Sequence, residues 1–190
     1  NGTSALHIAL KVLGLNEKDE VIVPTMSFIA TLNPVLYLGA KPIFMDCDKF
    51  LNIDIDKTIK FLNNETYFKN GFTYNKRTKK IIKVIIVAHM YGNLCNVFRL
   101  KKICKKKNIK ILEDAAESLG SYDKKGSYKY SDISCFSFNG NKIITAGGGG
   151  AIVSNNKKYI NQARHLVNQA RINNLEYFHN CVGYNYRISN

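Results

Sequence analysis

Lys142 is the residue from which chemistry is most readily read in this chain. It stands in Ser137-Phe138-Asn139-Gly140-Asn141-Lys142-Ile143-Ile144-Thr145-Ala146, ahead of the four glycines Gly147 to Gly150 and apart from the basic clusters. An ammonium group loses its proton readily when desolvated and can then add to a carbonyl carbon, so a lysine set this way is a candidate Schiff-base former. On these residues alone the plainer reading, a surface lysine before a glycine-rich turn, carries more weight, because short motifs recur by chance.

Asp114 is the most informative acid. The apolar run Ile109-Lys110-Ile111-Leu112-Glu113 delivers it to the carboxyl end of an expected strand, just before Ala115-Ala116-Glu117-Ser118. A carboxylate there needs a partner, since an unpaired buried charge is costly. Two partners are open: the backbone of the following turn, or a protonated ring nitrogen of a cofactor. Gly2-Thr3-Ser4 opens a helical pattern and offers backbone N–H groups, two hydroxyls and the positive end of the helix dipole. These suit a phosphate, and an ordinary N-cap is the local alternative. His89, after another apolar run, reads as a positioning or packing residue rather than a catalytic one.

The elements that must position these residues alternate. Apolar runs at Glu20–Pro24, Lys41–Asp46, Ile81–Ala88 and Ile109–Glu113 read as strands, with helices expected over Thr3–Leu13, Met26–Leu38, Ile55–Leu62 and Val97–Lys107. Pro34 is expected to kink or restart the second helix. Such alternation implies βαβ units and a mostly parallel α/β sheet covered by helices. Phe28 falls just past a strand's carboxyl end, where ligands of open sheets sit. The polar stretch Asn63–Lys80 breaks the rhythm and reads as a surface excursion or small hairpin. Two short strands at Ile133–Phe138 and Ala151–Ser154 flank Lys142, a helix spans Tyr159–Ala170, and Leu175–Asn190 reads as loop.

Composition narrows the classes. A 190-residue chain that is 45% hydrophobic and 22% charged can hold one domain with a sizeable core. No apolar run reaches the eighteen or so residues of a membrane helix. Cys47, Cys95, Cys104, Cys135 and Cys181 are widely spaced, which argues for reduced thiols in a cytoplasm, and the scattered histidines outline no metal site. The net charge of +14 invites a nucleic-acid reading. Its clusters, Lys76-Arg77-Thr78-Lys79-Lys80 and Lys101 to Lys107, lack interleaved aromatics or a recognised binding motif, so that reading remains a rival only. The chain opens as if inside an element and without an initiating methionine, so a longer parent protein is expected.

Taken together, several ordered segments resemble the DegT/DnrJ/StrS family of sugar-nucleotide aminotransferases, which use pyridoxal 5'-phosphate (PLP). They are Asn1-Gly2-Thr3-Ser4-Ala5-Leu6, Val23 to Thr31, Gly39-Ala40-Lys41-Pro42, His89-Met90-Tyr91-Gly92, Glu113 to Glu117, the Lys142 segment, and Gly183-Tyr184-Asn185-Tyr186-Arg187. The resemblance implies a large PLP-binding domain of the aspartate-aminotransferase-like fold over residues 1–190, with a leading segment and a smaller C-terminal domain outside it. It implies that Lys142 anchors the cofactor, Asp114 keeps the pyridine nitrogen protonated, and Phe28 stacks on the ring. Gly2, Thr3, Ser4 and Ser137 would hold the phosphate. Asn185 would reach the neighbouring subunit's site in a homodimer. Glu117 stands where many members have glutamine near the ring hydroxyl, and Gly148 where many have glutamate. The glycine quartet and the Asn70–Lys80 excursion resemble a subgroup that aminates UDP-4-keto-6-deoxy-N-acetylglucosamine, with glutamate as donor, toward bacillosamine or legionaminic acid. Perosamine synthases are the alternative within the family.

Overall fold

The computed structural model describes residues 1–122, 128–173 and 177–188. In chain order its elements are α1 (Gly2–Val12), β1 (Asp19–Pro24), α2 (Ile29–Tyr37), β2 (Lys41–Met45), α3 (Ile55–Asn64), β3 (Thr66–Lys69), β4 (Phe72–Asn75), β5 (Ile81–Ala88), α4 (Val97–Lys106), β6 (Lys110–Asp114), β7 (Ile133–Ser137), β8 (Gly150–Val153) and α5 (Lys157–Val167). The sheet runs β2-β1-β5-β6-β7-β8. Neighbours from β2 to β7 are parallel and β8 is antiparallel to β7, so the expected α/β architecture forms. Parallel neighbours need long crossovers, and α2, α3 and α4 lie in those connections.

Side-chain alternation sorts the core into two layers. Val21, Val23, Val84 and Ile86 face α1 and α5 with Leu6, Leu10, Ala163 and Leu166. Ile22, Ile82, Ile85 and Val87 face the other way, onto Leu62, Leu100 and Cys104 of α3 and α4. Strict alternation would put Ile82 and Ile85 on opposite faces. A register shift between β1 and β5, where Glu20 pairs with Ile82 and Val21 with Val84, leaves Lys83 over and restores the pattern. Lys83 then reaches the buried Asp19 at 2.9 Å.

The expected Asn63–Lys80 excursion is a hairpin, β3 on β4, and several contacts tie it to the body. Tyr74 of β4 pairs with Ile81 at the start of β5. Asn75 donates to the buried Glu20 carboxylate at 2.9 Å, and the Thr73 hydroxyl donates to the Lys107 carbonyl at 2.6 Å.

Two expected boundaries move by three residues. The second helix begins at Ile29 rather than Met26, because Phe28 is extended (φ −67°, ψ 143°). That helix runs through Pro34 without restarting. The last helix ends at Val167, before Gln169 and Ala170 take positive φ of 64° and 53°. The expected Leu175–Asn190 loop is described over 177–188 only; 175, 176, 189 and 190 lie outside the described residues. The five cysteines are free, and burial pushes the Cys95 and Cys104 thiols up to about 12.

Candidate active site

Strands β1, β5 and β6 end on one side of the sheet, and the amino ends of α1 and α2 meet them there. A cavity of about 170 Å³ lies between them, lined among others by Gly2, Thr3, Phe28, Asp114, Glu117, Ser137 and Lys142. Residues far apart in the chain are thus brought together as the sequence implied. Ser4 and Asn185 are not among them.

Asp114 forms the floor. It is 8% exposed, and both of its oxygens are engaged. The Thr31 hydroxyl donates to Oδ2 at 2.6 Å, and the Ala116 N–H donates to Oδ1 at 3.2 Å. Burial raises its proton affinity; these two hydrogen bonds and the charge of Lys142 pull the other way. The turn-capping and ring-partner roles left open above are compatible, since the turn uses Oδ1.

His89 lies beside this floor as a packed group. The Cys95 N–H donates to its Nδ1 at 3.1 Å, which leaves Nε2 to carry the hydrogen toward Glu113 Oε2 at 2.6 Å. Both ring nitrogens are therefore spent within the protein, in keeping with the positioning or packing role expected of it.

Lys142 forms the rim. Its Nζ lies 3.6 Å from Glu117 Oε1 and 5.9 Å from the centroid of the Phe28 ring. Glu117 is held from behind by the Tyr91 N–H, which donates to Oε2 at 2.9 Å. Tyr91 presents that N–H from a left-handed backbone, φ 53°. Phe28 is 67% exposed, an open aromatic face beside the amine.

The amino end of α1 corrects one expectation in detail. Asn1, not a residue of Gly2-Thr3-Ser4, is the N-cap, and its Oδ1 accepts from the Ser4 N–H at 3.0 Å and the Ser4 hydroxyl at 3.2 Å. Ser4 is therefore already satisfied, and it lines a second cavity with Gly148, Arg164 and Arg187. The Gly2 N–H donates to Ser137 Oγ at 3.3 Å. A Cβ at Gly2 would come 2.9 Å from the Ser137 Cβ, so only glycine lets β7 approach the helix this closely. The Thr3 hydroxyl takes no partner among the described residues, and Thr3 lines the cavity.

Asn185 is exposed between Tyr184 and Tyr186, whose rings stack at 5.2 Å and pack on His7. The backbone around it is pinned to the end of α5 by the Tyr184 N–H donating to the Leu166 carbonyl at 2.7 Å. Sequence reasoning missed Thr31, Ser27 and Tyr91. The first two could have been found: Ser27 and Thr31 are hydroxyls four residues apart just past a strand's carboxyl end, the spacing of one helical turn.

This donor set fits a phosphorylated pyridine aldehyde. It combines an amine, a buried carboxylate able to face a ring nitrogen, an exposed aromatic face, and a helix start with a free hydroxyl beside it. The comparisons agree. The model of the DegT/DnrJ/EryC1/StrS aminotransferase family matches residues 1–190. The chain is 40% identical to the GDP-perosamine synthase of Escherichia coli O157:H7, over 100% of this chain and 48% of that protein. It is 35% identical to the UDP-4-amino-4,6-dideoxy-N-acetyl-beta-L-altrosamine transaminase of Campylobacter jejuni, over 100% of this chain and 47% of that protein. Among solved structures, NtdA of Bacillus subtilis with bound cofactor PMP superposes with a TM-score of 0.81 at 30% identity, covering 98% of this chain and 39% of that one. The chain spans about half the length of the curated relatives it matches. It belongs to the DegT/DnrJ/EryC1/StrS aminotransferase family, whose members depend on pyridoxal phosphate.

Proposed function

We propose that residues 1–190 are the cofactor-binding large domain of an aminotransferase that moves an amino group from glutamate to a nucleotide-linked 4-keto-6-deoxy sugar. The observation that carries this reading is the convergence of Lys142, Asp114 and the α1 amino end on one cavity. When bound, PLP supplies an electron-withdrawing ring that stabilises negative charge on the carbon beside it. Lys142 would hold it through Nζ, with Asp114 keeping a hydrogen on the ring nitrogen and Phe28 covering one face. Thr3, Ser137 and the α1 amino end would take the phosphate, and Glu117 would face the ring hydroxyl. Ser4 is the weakest of the assigned phosphate contacts, since its N–H and hydroxyl already serve Asn1. The Lys142 amine would be the base that takes the proton from the donor's α carbon and, in the second half, the acid that delivers one to C4 of the sugar.

Two features support a homodimer as the working unit. Asn185 is exposed and outside its own cavity, as a residue serving a neighbour would be. Met26, Phe28, Ile29, Leu36, Tyr37 and Phe44 expose large apolar side chains on α2, β2 and the approach to α2, and Phe28 among them lines the cavity.

The nucleotide is the finer question. Similarity to GDP-perosamine synthase at 40% identity favours a GDP-linked keto-sugar. The glycine at position 148 favours the UDP-4-keto-6-deoxy-N-acetylglucosamine reading and the bacillosamine or legionaminic acid routes. The intact protein, loaded with PLP and given glutamate, is offered each keto-sugar in turn and the products are weighed by mass spectrometry. A 4-amino sugar with matching 2-oxoglutarate is the expected outcome, and amination of neither sugar would remove the reading.

A further inference from the structure

Thr31 spends its hydroxyl in an unusual direction. A threonine in the first turn of a helix ordinarily bonds a nearby backbone group. Here the residue is 1% exposed, and its Oγ1 lies 2.6 Å from Asp114 Oδ2, across 83 positions of sequence. The same Oγ1 lies 2.5 Å from Ser27 Oγ. The directions of these bonds follow from counting hydrogens. An ionised carboxylate only accepts, so Thr31 gives its single hydrogen to Asp114 and must accept from Ser27. The Ser27 hydrogen is then also spent, and Ser27, which lines the cavity, can offer a ligand only an acceptor.

We propose that Ser27 and Thr31 form a one-way hydrogen-bond chain that fixes the orientation and charge of Asp114, making Thr31 the positioning residue for the carboxylate beneath the cofactor. Asp114 needs such help. Buried among apolar strands, its carboxyl is pushed toward the protonated form, and the Thr31 hydroxyl is the leading group opposing that. The Ala116 N–H fixes Oδ1, so Thr31 is what holds Oδ2. Without it one oxygen of a buried carboxylate is left bare and free to turn. The inference rests on the reading of Asp114 as partner of the ring nitrogen.

The test is the PLP dissociation constant of the intact protein, measured by absorbance titration beside the unfolding midpoint of the cofactor-free form. Thr31→Val keeps the shape and removes the hydrogen, and should weaken PLP binding about ten-fold or more, the scale of one hydrogen bond to a charged group. Thr31→Ser should restore binding to near the parent value. Ser27→Ala, at a half-exposed position, should weaken it less than Thr31→Val while leaving the midpoint unchanged. Parent-like affinity in Thr31→Val or Ser27→Ala overturns the chain, as does a Thr31→Ser variant no better than Thr31→Val. A purely structural Thr31 would lower the midpoint and leave affinity alone. Asp114→Asn is run in parallel. If it too binds PLP as the parent does, the reading of Asp114 fails; if it loses PLP while Thr31→Val does not, only the chain fails.

Discussion

At the floor of the cavity Asp114 has a partner for each oxygen, supplied by Thr31 and Ala116. At the rim, Lys142, Glu117 and Phe28 have mainly one another: 3.6 Å from amine to carboxylate, 5.9 Å from amine to ring, and one backbone N–H behind Glu117. The floor is made by the strands and helices that also make the core, so its geometry is a consequence of folding. The rim is made by loops, whose side chains point into space that the fold does not fill. Floor residues should therefore trade stability against function, whereas rim residues should affect function alone.

Five substitutions bear on that contrast, and the largest effect is expected at Lys142. Lys142→Ala removes the amine proposed as cofactor anchor and proton carrier, and kcat of the intact protein should fall by about 10³-fold or more while the unfolding midpoint stays put. A midpoint that falls with it would place Lys142 in the fold rather than on its rim.

Asp114→Asn should lower kcat by about 10²-fold, as expected when a preorganised charge is lost, and at neutral pH it should raise the midpoint of the cofactor-free protein. The sign follows from burial. Its folded carboxyl sits above the ordinary 3.8, so between 3.8 and the raised value the folded state binds more protons than the unfolded one. Stability therefore falls as pH rises through that window, and the amide abolishes the loss. Midpoints of parent and variant should converge below pH 3.8. A variant less stable than the parent at neutral pH would show that the floor is not strained by its charge.

Phe28→Ala should weaken PLP binding about five- to ten-fold, the worth of a stacked aromatic pair. Because Phe28 is 67% exposed, stability should be unchanged by calorimetry. The glycine quartet supplies the finest contrast. A Cβ at Gly150 would meet the Asn1 carbonyl oxygen at 2.6 Å, whereas nothing lies within 4 Å of one at Gly148. Gly150→Ala should cost about 1–3 kcal/mol by overpacking. Gly148→Ala should be neutral or stabilise by about 0.5 kcal/mol through the unfolded state. Denaturant titration of the pair checks both.

The framework was legible in the sequence because its signals are local. Apolar runs ending in Pro24, Ala88 and Asp114 gave the strand ends, and those ends carry the site. Family resemblance then assigned Lys142, which its own neighbours could not do. What was not legible depends on partners distant in the chain. Met26 and Phe28 fall inside the expected Met26–Leu38 helix, yet the extended backbone at Phe28 turns the ring out beside Lys142. Asn1 caps α1 because its side chain reaches Ser4, a fact that a Gly-Thr-Ser start conceals. The Thr31 contact with Asp114 spans 83 residues, and the Ser27–Thr31 spacing, though visible, does not name its partner. Gly148 looks like one glycine among four, and only its surroundings reveal that no steric need keeps it there.

Anchoring of the cofactor by Lys142 is open to chemical trapping. The intact protein is saturated with PLP, reduced with borohydride, digested and mapped by mass spectrometry. A pyridoxyl group is expected on the peptide carrying Lys142, with no adduct in Lys142→Ala treated in the same way. A stoichiometric adduct on another lysine of the parent, or one retained at this site by Lys142→Ala, would contradict it.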